Sequence, residues 1–374
     1  MRARLGFPLR LQALLQAALL ASAFGLGCGP MDAEDNPDNM GNGKGPPLPL
    51  GMPVEAKPSE WTWVDFPDAV CDDGSATGIA VNPAPGSKKL LVFLMGGGAC
   101  WDYLSCAVLN SSTHGPMASK QWDSVKAALG GSILDRGTAQ PFADYNLVWV
   151  PYCTGDVHSG DNVATYTSGM QQKVIHHKGR ANLMAFMKRL GATFGDSEKI
   201  VFSGSSAGGF GVAINYDLVR PYFPKAKGYM LDDSGPILVG EDVPQNLRQA
   251  WIKNWGLESR LAERCPECAM DLSAMLKHHA SDFPQDRMAL LSYTQDQVIR
   301  TFLGLRGAKA YEQNLATLAT TIYDALPGAH YYYVAGQDHT FLLNPGKTTA
   351  QGIPLLGWLA AFESDDSAWM STKP

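Results

Sequence analysis

Charge is scarce in this chain. Asp, Glu, Lys and Arg make up 18% of 374 residues, and 36 acids against 30 bases leave a formal net charge of −6. A nucleic-acid binder normally presents a basic field, so that class is excluded. Cysteine is scarce as well. Seven cysteines are too few for a disulfide-dense small scaffold, yet enough to raise the question of an oxidising compartment. There is no collagen-like period, no internal repeat of roughly 20–50 residues and no series of long apolar spans. Apolar material for a core is plentiful, at 45% hydrophobic residues.

The N-terminus is set apart from the rest. Residues 1–27 contain Arg2, Arg4 and Arg10, no acid, and an apolar run from Leu11 to Leu26 broken by Gln12 and Gln16. This is the pattern of an export signal, too short and interrupted for a transmembrane helix. Two cleavage points compete. Ala21-Ser22-Ala23 suits an ordinary signal peptidase. Leu26-Gly27-Cys28 resembles a bacterial lipobox, with Gly25 where an aliphatic residue is usual. Lipidation of Cys28 would leave six cysteines, an even number suited to disulfides. Residues 29–58 hold seven prolines and five glycines, so 28–58 reads as a disordered tether. The expectation is an exported protein, a cell-surface or outer-membrane lipoprotein or otherwise freely secreted. Its only membrane contact would be the lipid anchor. Without the three leader arginines, −6 becomes −9 for the exported part.

Residues 59–374 read as one domain. Expected strands are Thr62–Phe66, Thr77–Val81, Lys89–Leu94, Asn146–Val150, Lys199–Phe202, Gly228–Leu231, Met288–Tyr293 and His330–Val334. Expected helices are Lys173–Leu190, Gly208–Val219, Leu247–Trp255, Leu272–His279, Ala308–Leu326 and Pro354–Phe362. Alternation of the two predicts an α/β fold with a mostly parallel sheet flanked by helices. The stretch 236–286 carries helices without a strong strand and reads as a cap insertion.

Lys199–Phe202 runs into Gly204-Ser205-Ser206-Ala207-Gly208, a G-x-S-x-G turn between a strand and a helix. The motif alone is cheap, and a tightly packed turn without chemistry would share it. In this context it fits a nucleophile elbow, which forces the serine into a strained conformation with small neighbours. Ser206 is the candidate nucleophile, and the Ala207 N–H would face a developing oxyanion. The strand ending in Gly96-Gly97-Gly98 supplies further donors, with Gly97 and Gly98 as candidates. Met95 stands where a histidine is familiar. The run is no phosphate loop, since no Gly-Lys-Ser/Thr follows.

The chain order serine, acid, histidine points to His339 as base, in a loop just after a strand. His278 and His279 read as a solvated helix face, and His176-His177 as helix surface. Asp296 follows the strand Met288–Tyr293 at the same sheet edge and leads as the acid, with Asp338 as rival. Asp156 and His158, near that edge, either bind substrate hydroxyls or form a local turn. Trp101 either stacks on substrate or packs against the cap. Cys265-Pro266-Glu267-Cys268 has no second pair at zinc spacing, so neither metal nor cofactor is expected.

Several segments together resemble the pectin acetylesterase and Notum family of serine carboxylesterases, and would make the chain a bacterial member. They are Cys71-Asp72-Asp73-Gly74-Ser75, Gly96 to Trp101 with Cys106, Pro151 to Asp156, Gly204 to Gly209, and Asp338-His339. The resemblance implies an α/β-hydrolase-like fold, with nucleophile Ser206, acid Asp296, base His339 and oxyanion donors Gly97, Gly98 and Ala207. It also implies a Cys100–Cys106 bridge, with Cys71–Cys153 and Cys265–Cys268 as the remaining pairs. Plant and animal members carry Trp in the glycine run where this chain has Gly98 or Ala99, which opens the mouth of the site. The implied activity is deacylation, favouring deacetylation, of polysaccharide or other acyl esters by a monomer. A non-catalytic surface binding lipoprotein and an amidase with the same triad are the competing readings.

Overall fold

The structure, a computed structural model, describes residues 48–137 and 140–374. Cys28 and the whole of segment 1–27 lie outside the described residues, as does most of the expected tether. Residues 48–58, expected to be its end, are instead docked. Val54 is buried, its N–H donates to Thr193 Oγ1 at 2.7 Å, and Gly51 N–H donates to Lys188 O at 3.0 Å.

Ten strands carry the architecture: β1 (Thr62–Val70), β2 (Ala76–Asn82), β3 (Lys89–Leu94), β4 (Asn146–Val150), β5 (Asn162–Ser168), β6 (Gln171–His177), β7 (Lys199–Ser205), β8 (Lys227–Asp233), β9 (Arg287–Tyr293) and β10 (Ala329–Val334). Eight form one sheet in the order β1-β2-β4-β3-β7-β8-β9-β10. β2 runs antiparallel to both its neighbours, and every later pairing is parallel. All eight were legible as apolar runs between turn residues. The central ones are buried almost throughout, as strands covered on both faces must be.

The helices are α1 (Ser119–Lys126), α2 (Gly179–Phe194), α3 (Ala207–Val219), α4 (Gln245–Trp255), α5 (Glu258–Arg264), α6 (Ala274–Asp282), α7 (Gln297–Phe302), α8 (Ala308–Thr321) and α9 (Leu355–Glu363). Alternate residues of β3 separate two cores. Leu90, Val92 and Leu94 face α2, α3 and α8, whereas Leu91 and Phe93 join Trp122 of α1 and Trp358 of α9. The helices α4, α5 and α6 occupy the interval between β8 and β9 where a cap was expected. α4 stops at Gly256, whose φ of +71° suits glycine and lets its N–H reach Ile252 O and Lys253 O.

The expected helix Lys173–Leu190 starts too early. Gln171–His177 is a strand, paired antiparallel with Asn162–Ser168, and the helix begins at Gly179. The β-branched Val174 and Ile175 suit a pleated surface, where Ile175 packs beside Ala164 and Tyr166. His177 is consequently buried, not on a helix surface. Its Nδ1 meets Thr154 O at 2.8 Å and its Nε2 meets Tyr166 Oη at 2.8 Å. His279 is likewise buried, with Nε2 donating to Ala213 O at 2.8 Å, while His278 is exposed beside Glu267.

Candidate active site

The turn from β7 to α3 holds Ser206 at φ +58° and ψ −120°, a conformation that costs a non-glycine residue about 1–3 kcal/mol. Its neighbours have no room for side chains. A Cβ on Gly204 would lie 2.6 Å from the backbone of Gly208, and one on Gly208 would lie 2.1 Å from Leu94 O. Ser206 N–H donates to Asp233 O at 2.7 Å, which ties the turn to the end of β8. The side chain stays at the surface of the turn, at the N-terminus of α3.

Asp296 begins α7 as its N-cap. One carboxylate oxygen, Oδ1, accepts from Val298 N and Ile299 N, at 2.9 and 3.0 Å. The other, Oδ2, takes His339 Nδ1 at 2.7 Å. One oxygen thus anchors the acid and the other orients the imidazole. Asp338, the rival, is exposed. His339 Nε2 is buried and has no hydrogen-bond partner among the described residues. The Nδ1 contact leaves this nitrogen as the free lone pair, the form a general base requires. No Ser206–His339 hydrogen bond is formed in this structure.

Asp233 is the residue that the motifs missed. It is fully buried at the end of β8 and accepts from Ser205 Oγ at 2.6 Å. It also accepts the N–H groups of Phe341 and Leu342, each at 3.0 Å. It therefore fastens the serine turn and the histidine loop to one carboxylate. Burial pushes its pKa up, against the pull of Ser205, Leu342, Phe341 and His339. The signal for it was the acid pair Asp232-Asp233 at a strand end, followed by Ser234-Gly235.

The glycine run lies beside Ser206. Gly98 has φ +74°, and a Cβ there would sit 2.1 Å from Ser111 O. Ala99 N–H is occupied by Ser111 O at 3.2 Å, whereas no acceptor meets the Gly97, Gly98 or Ala207 N–H groups among the described residues.

Asp156 and His158 do not face substrate. Both are buried. Asp156 accepts from Thr154 Oγ1 at 2.6 Å and from Gly179 N–H at 2.7 Å, holding the start of α2. His158 Nε2 meets Met95 O at 2.8 Å, directly before the glycine run, and burial depresses its pKa. Together they brace the loop behind the site. Trp101 leans edge-on against Trp251 of α4, with ring centroids 6.0 Å apart, so it belongs to the cap contact. Among the described residues three disulfides are present: Cys71–Cys153, Cys100–Cys106 and Cys265–Cys268.

Between the glycine run, α3 and the cap lies a cavity open to solvent. Ser206 sits on its wall. Phe210, Ile237, Leu238, Trp251, Trp255 and Phe302 make it mainly apolar.

Residues 56–288 match the family model described as Pectinacetylesterase. The chain belongs to the pectinacetylesterase family. That match includes Ser206 and the glycine run and ends before Asp296 and His339. Among curated relatives, palmitoleoyl-protein carboxylesterase notum1 of Xenopus laevis is 30% identical over 215 residues, 53% of this chain and 43% of the relative. Palmitoleoyl-protein carboxylesterase NOTUM of Drosophila melanogaster is 30% identical over 210 residues, 52% of this chain and 31% of the relative. The matched segment thus spans less than half the length of these relatives. They are animal proteins and lend the expected bacterial origin no support. The crystal structure of the Wnt deacylase Notum from Drosophila superposes with a TM-score of 0.59 at 19% identity, over 83% of this chain and 95% of that one. The fold is α/β-hydrolase-like.

Proposed function

We propose that this chain is a serine carboxylesterase that works through an acyl-enzyme. His339 Nε2 takes the proton of Ser206 as its Oγ attacks the ester carbonyl, and Asp296 holds the imidazole by Nδ1. Gly97, Gly98 and Ala207 N–H groups receive the oxyanion, each such donor commonly contributing about 3 kcal/mol. His339 then protonates the departing alcohol, and water releases the acid. The observation that carries this reading is the strained Ser206, at φ +58°, together with His339, whose Nε2 is buried and unpartnered among the described residues and whose loop is fastened with the serine turn to the Asp233 carboxylate. The open Ser206–His339 contact is consistent with it, since catalytic hydrogen bonds commonly tighten only with substrate.

The apolar cavity favours an acyl group larger than acetyl. The names of the relatives, palmitoleoyl-protein carboxylesterases, point the same way. Acetylated polysaccharide is therefore the second choice of substrate, kept by the family's description alone. We further propose an export leader over 1–27 and a tether that follows it, with lipidation at Cys28. Mass spectrometry that finds a free Phe24 at the mature N-terminus would exclude the lipid.

The test is hydrolysis of p-nitrophenyl acetate, butyrate and octanoate by the wild type and Ser206→Ala. Loss of turnover in the variant, with a wild-type preference for the longer acyl groups, is expected. Equal rates in the two proteins would leave a non-catalytic binding protein.

A further inference from the structure

Two residues that line the cavity carry buried donors with no acceptor among the described residues. Arg248 is 5% exposed, and its Nε makes no hydrogen bond. The indole Nε1 of Trp251 is also buried and unpartnered. They stand three residues apart on α4, so they share one face of that helix, and both line the cavity that Ser206 borders.

Other buried arginines in this molecule are matched by carboxylates. Arg220 meets Asp286 at 2.6 Å, and Arg260 meets Asp217 at 2.6 Å. Arg248 has instead one carbonyl, Gly240 O at 2.6 Å from Nη1. Asp242, on the turn that begins with Gly240, has its carboxyl pushed up by burial and by Glu241 and Asp271, the setting of an acid no guanidinium neutralises. A buried guanidinium beside a cavity whose lining includes Leu238, Leu257 and Leu272 is costly unless an anion joins it.

We propose that Arg248 and Trp251 form a subsite for a carboxylate carried at the far end of the acyl chain. The preferred acyl group is then the half-ester of a dicarboxylic acid: an alkyl segment along the apolar wall, the ester at Ser206 and the distal carboxylate at α4. This rests on the esterase reading above and narrows its substrate class. Trp251 stacks on Trp255, with planes 5° apart and centroids 5.6 Å apart, which fixes the direction of its N–H.

The experiment compares mono-p-nitrophenyl esters of dicarboxylic acids, from succinate to sebacate, with neutral esters of equal chain length. At one or more lengths the wild type is expected to favour the carboxylate-ended ester in kcat/KM. Arg248→Met is expected to lower the charged-to-neutral ratio there by roughly 10–100-fold, the range for a hydrogen bond to a charged group. Arg248→Lys, which keeps the charge, is expected to restore part of the ratio, an outcome that loss of packing alone does not give. A wild-type preference for the neutral ester at every length, or an unchanged ratio in Arg248→Met, overturns the proposal. If no ester is turned over, the esterase reading fails and calorimetric titration with free sebacate decides the subsite. Saturable binding to the wild type that is lost in Arg248→Met supports it, and absence of binding to the wild type overturns it.

Discussion

At the scale of single residues, the site depends on atoms with divided duties. Asp296 spends Oδ1 on the start of α7 and Oδ2 on His339. Replacing it by Asn should keep a cap oxygen and present an amide donor or the wrong tautomer partner to Nδ1. A fall in kcat of about 10⁴ is expected, read in steady-state ester hydrolysis, with little change in unfolding temperature. Gly98 is constrained twice, by its φ of +74° and by the 2.1 Å that would separate a Cβ from Ser111 O. Gly98→Ala must displace the glycine run from Ser206. A loss of kcat of about 10²–10³, the scale of removing one oxyanion donor, is expected with a smaller change in KM.

Secondary elements in this protein are pinned from outside as much as by their own sequence. The eight sheet strands were readable because continuous apolar runs bounded by turn residues leave few alternatives. The start of α2 was not readable, because Val174 and Ile175 satisfy helical spacing and strand propensity alike. The choice falls to the antiparallel partner Asn162–Ser168 and to the Asp156 carboxylate that receives Gly179 N–H. The disulfides act at this scale too. Cys71–Cys153 spans 82 residues and joins the ends of β1 and β4, whereas Cys265–Cys268 spans three. Loop-closure entropy assigns about 4–5 kcal/mol to the first and about 2 kcal/mol to the second. Paired Cys→Ser variants should therefore show the larger drop in denaturation midpoint for Cys71 and Cys153. The reverse order would mean that native-state strain outweighs chain entropy.

For the molecule as a whole, buried titratable groups set the pH response. Burial depresses the pKa of His279, with Asp217 pulling it up and Arg260 down. A folded-state value below the unfolded one of about 6.5 means that the unfolded chain takes the proton first. The stabilisation His279 gives is thus full above that value and lost as pH falls below it. Asp233 acts in the opposite sense: burial raises its pKa, so the folded state gains relative stability as pH falls through that raised value toward the ordinary carboxyl range. The two are separated by comparison with His279→Gln. Between about pH 7 and about pH 5, urea unfolding should show a steeper fall for the wild type than for the variant. Parallel slopes would remove His279 from the account.

The sequence by itself determined the eight strands of the main sheet, the serine turn and the chain order of the candidate nucleophile, acid and base. Each is a local matter: apolar runs, glycines where Cβ atoms collide, and residues placed just beyond strand ends. It also left Asp296 and Asp338 as rivals, and only packing shows that Asp296 is the one that meets His339, because a hydrogen bond to an imidazole is a property of two loops. The same is true of Asp233, whose partners Ser205, Phe341 and Leu342 come from β7 and the histidine loop. It is true of Asp156 and His158, whose polarity suggested substrate contact and whose burial turned them inward. The cavity belongs wholly to the tertiary structure. Its wall draws on the glycine run, α3, α4 and α7, segments far apart in the chain, and no spacing along one segment encodes the volume enclosed when they meet.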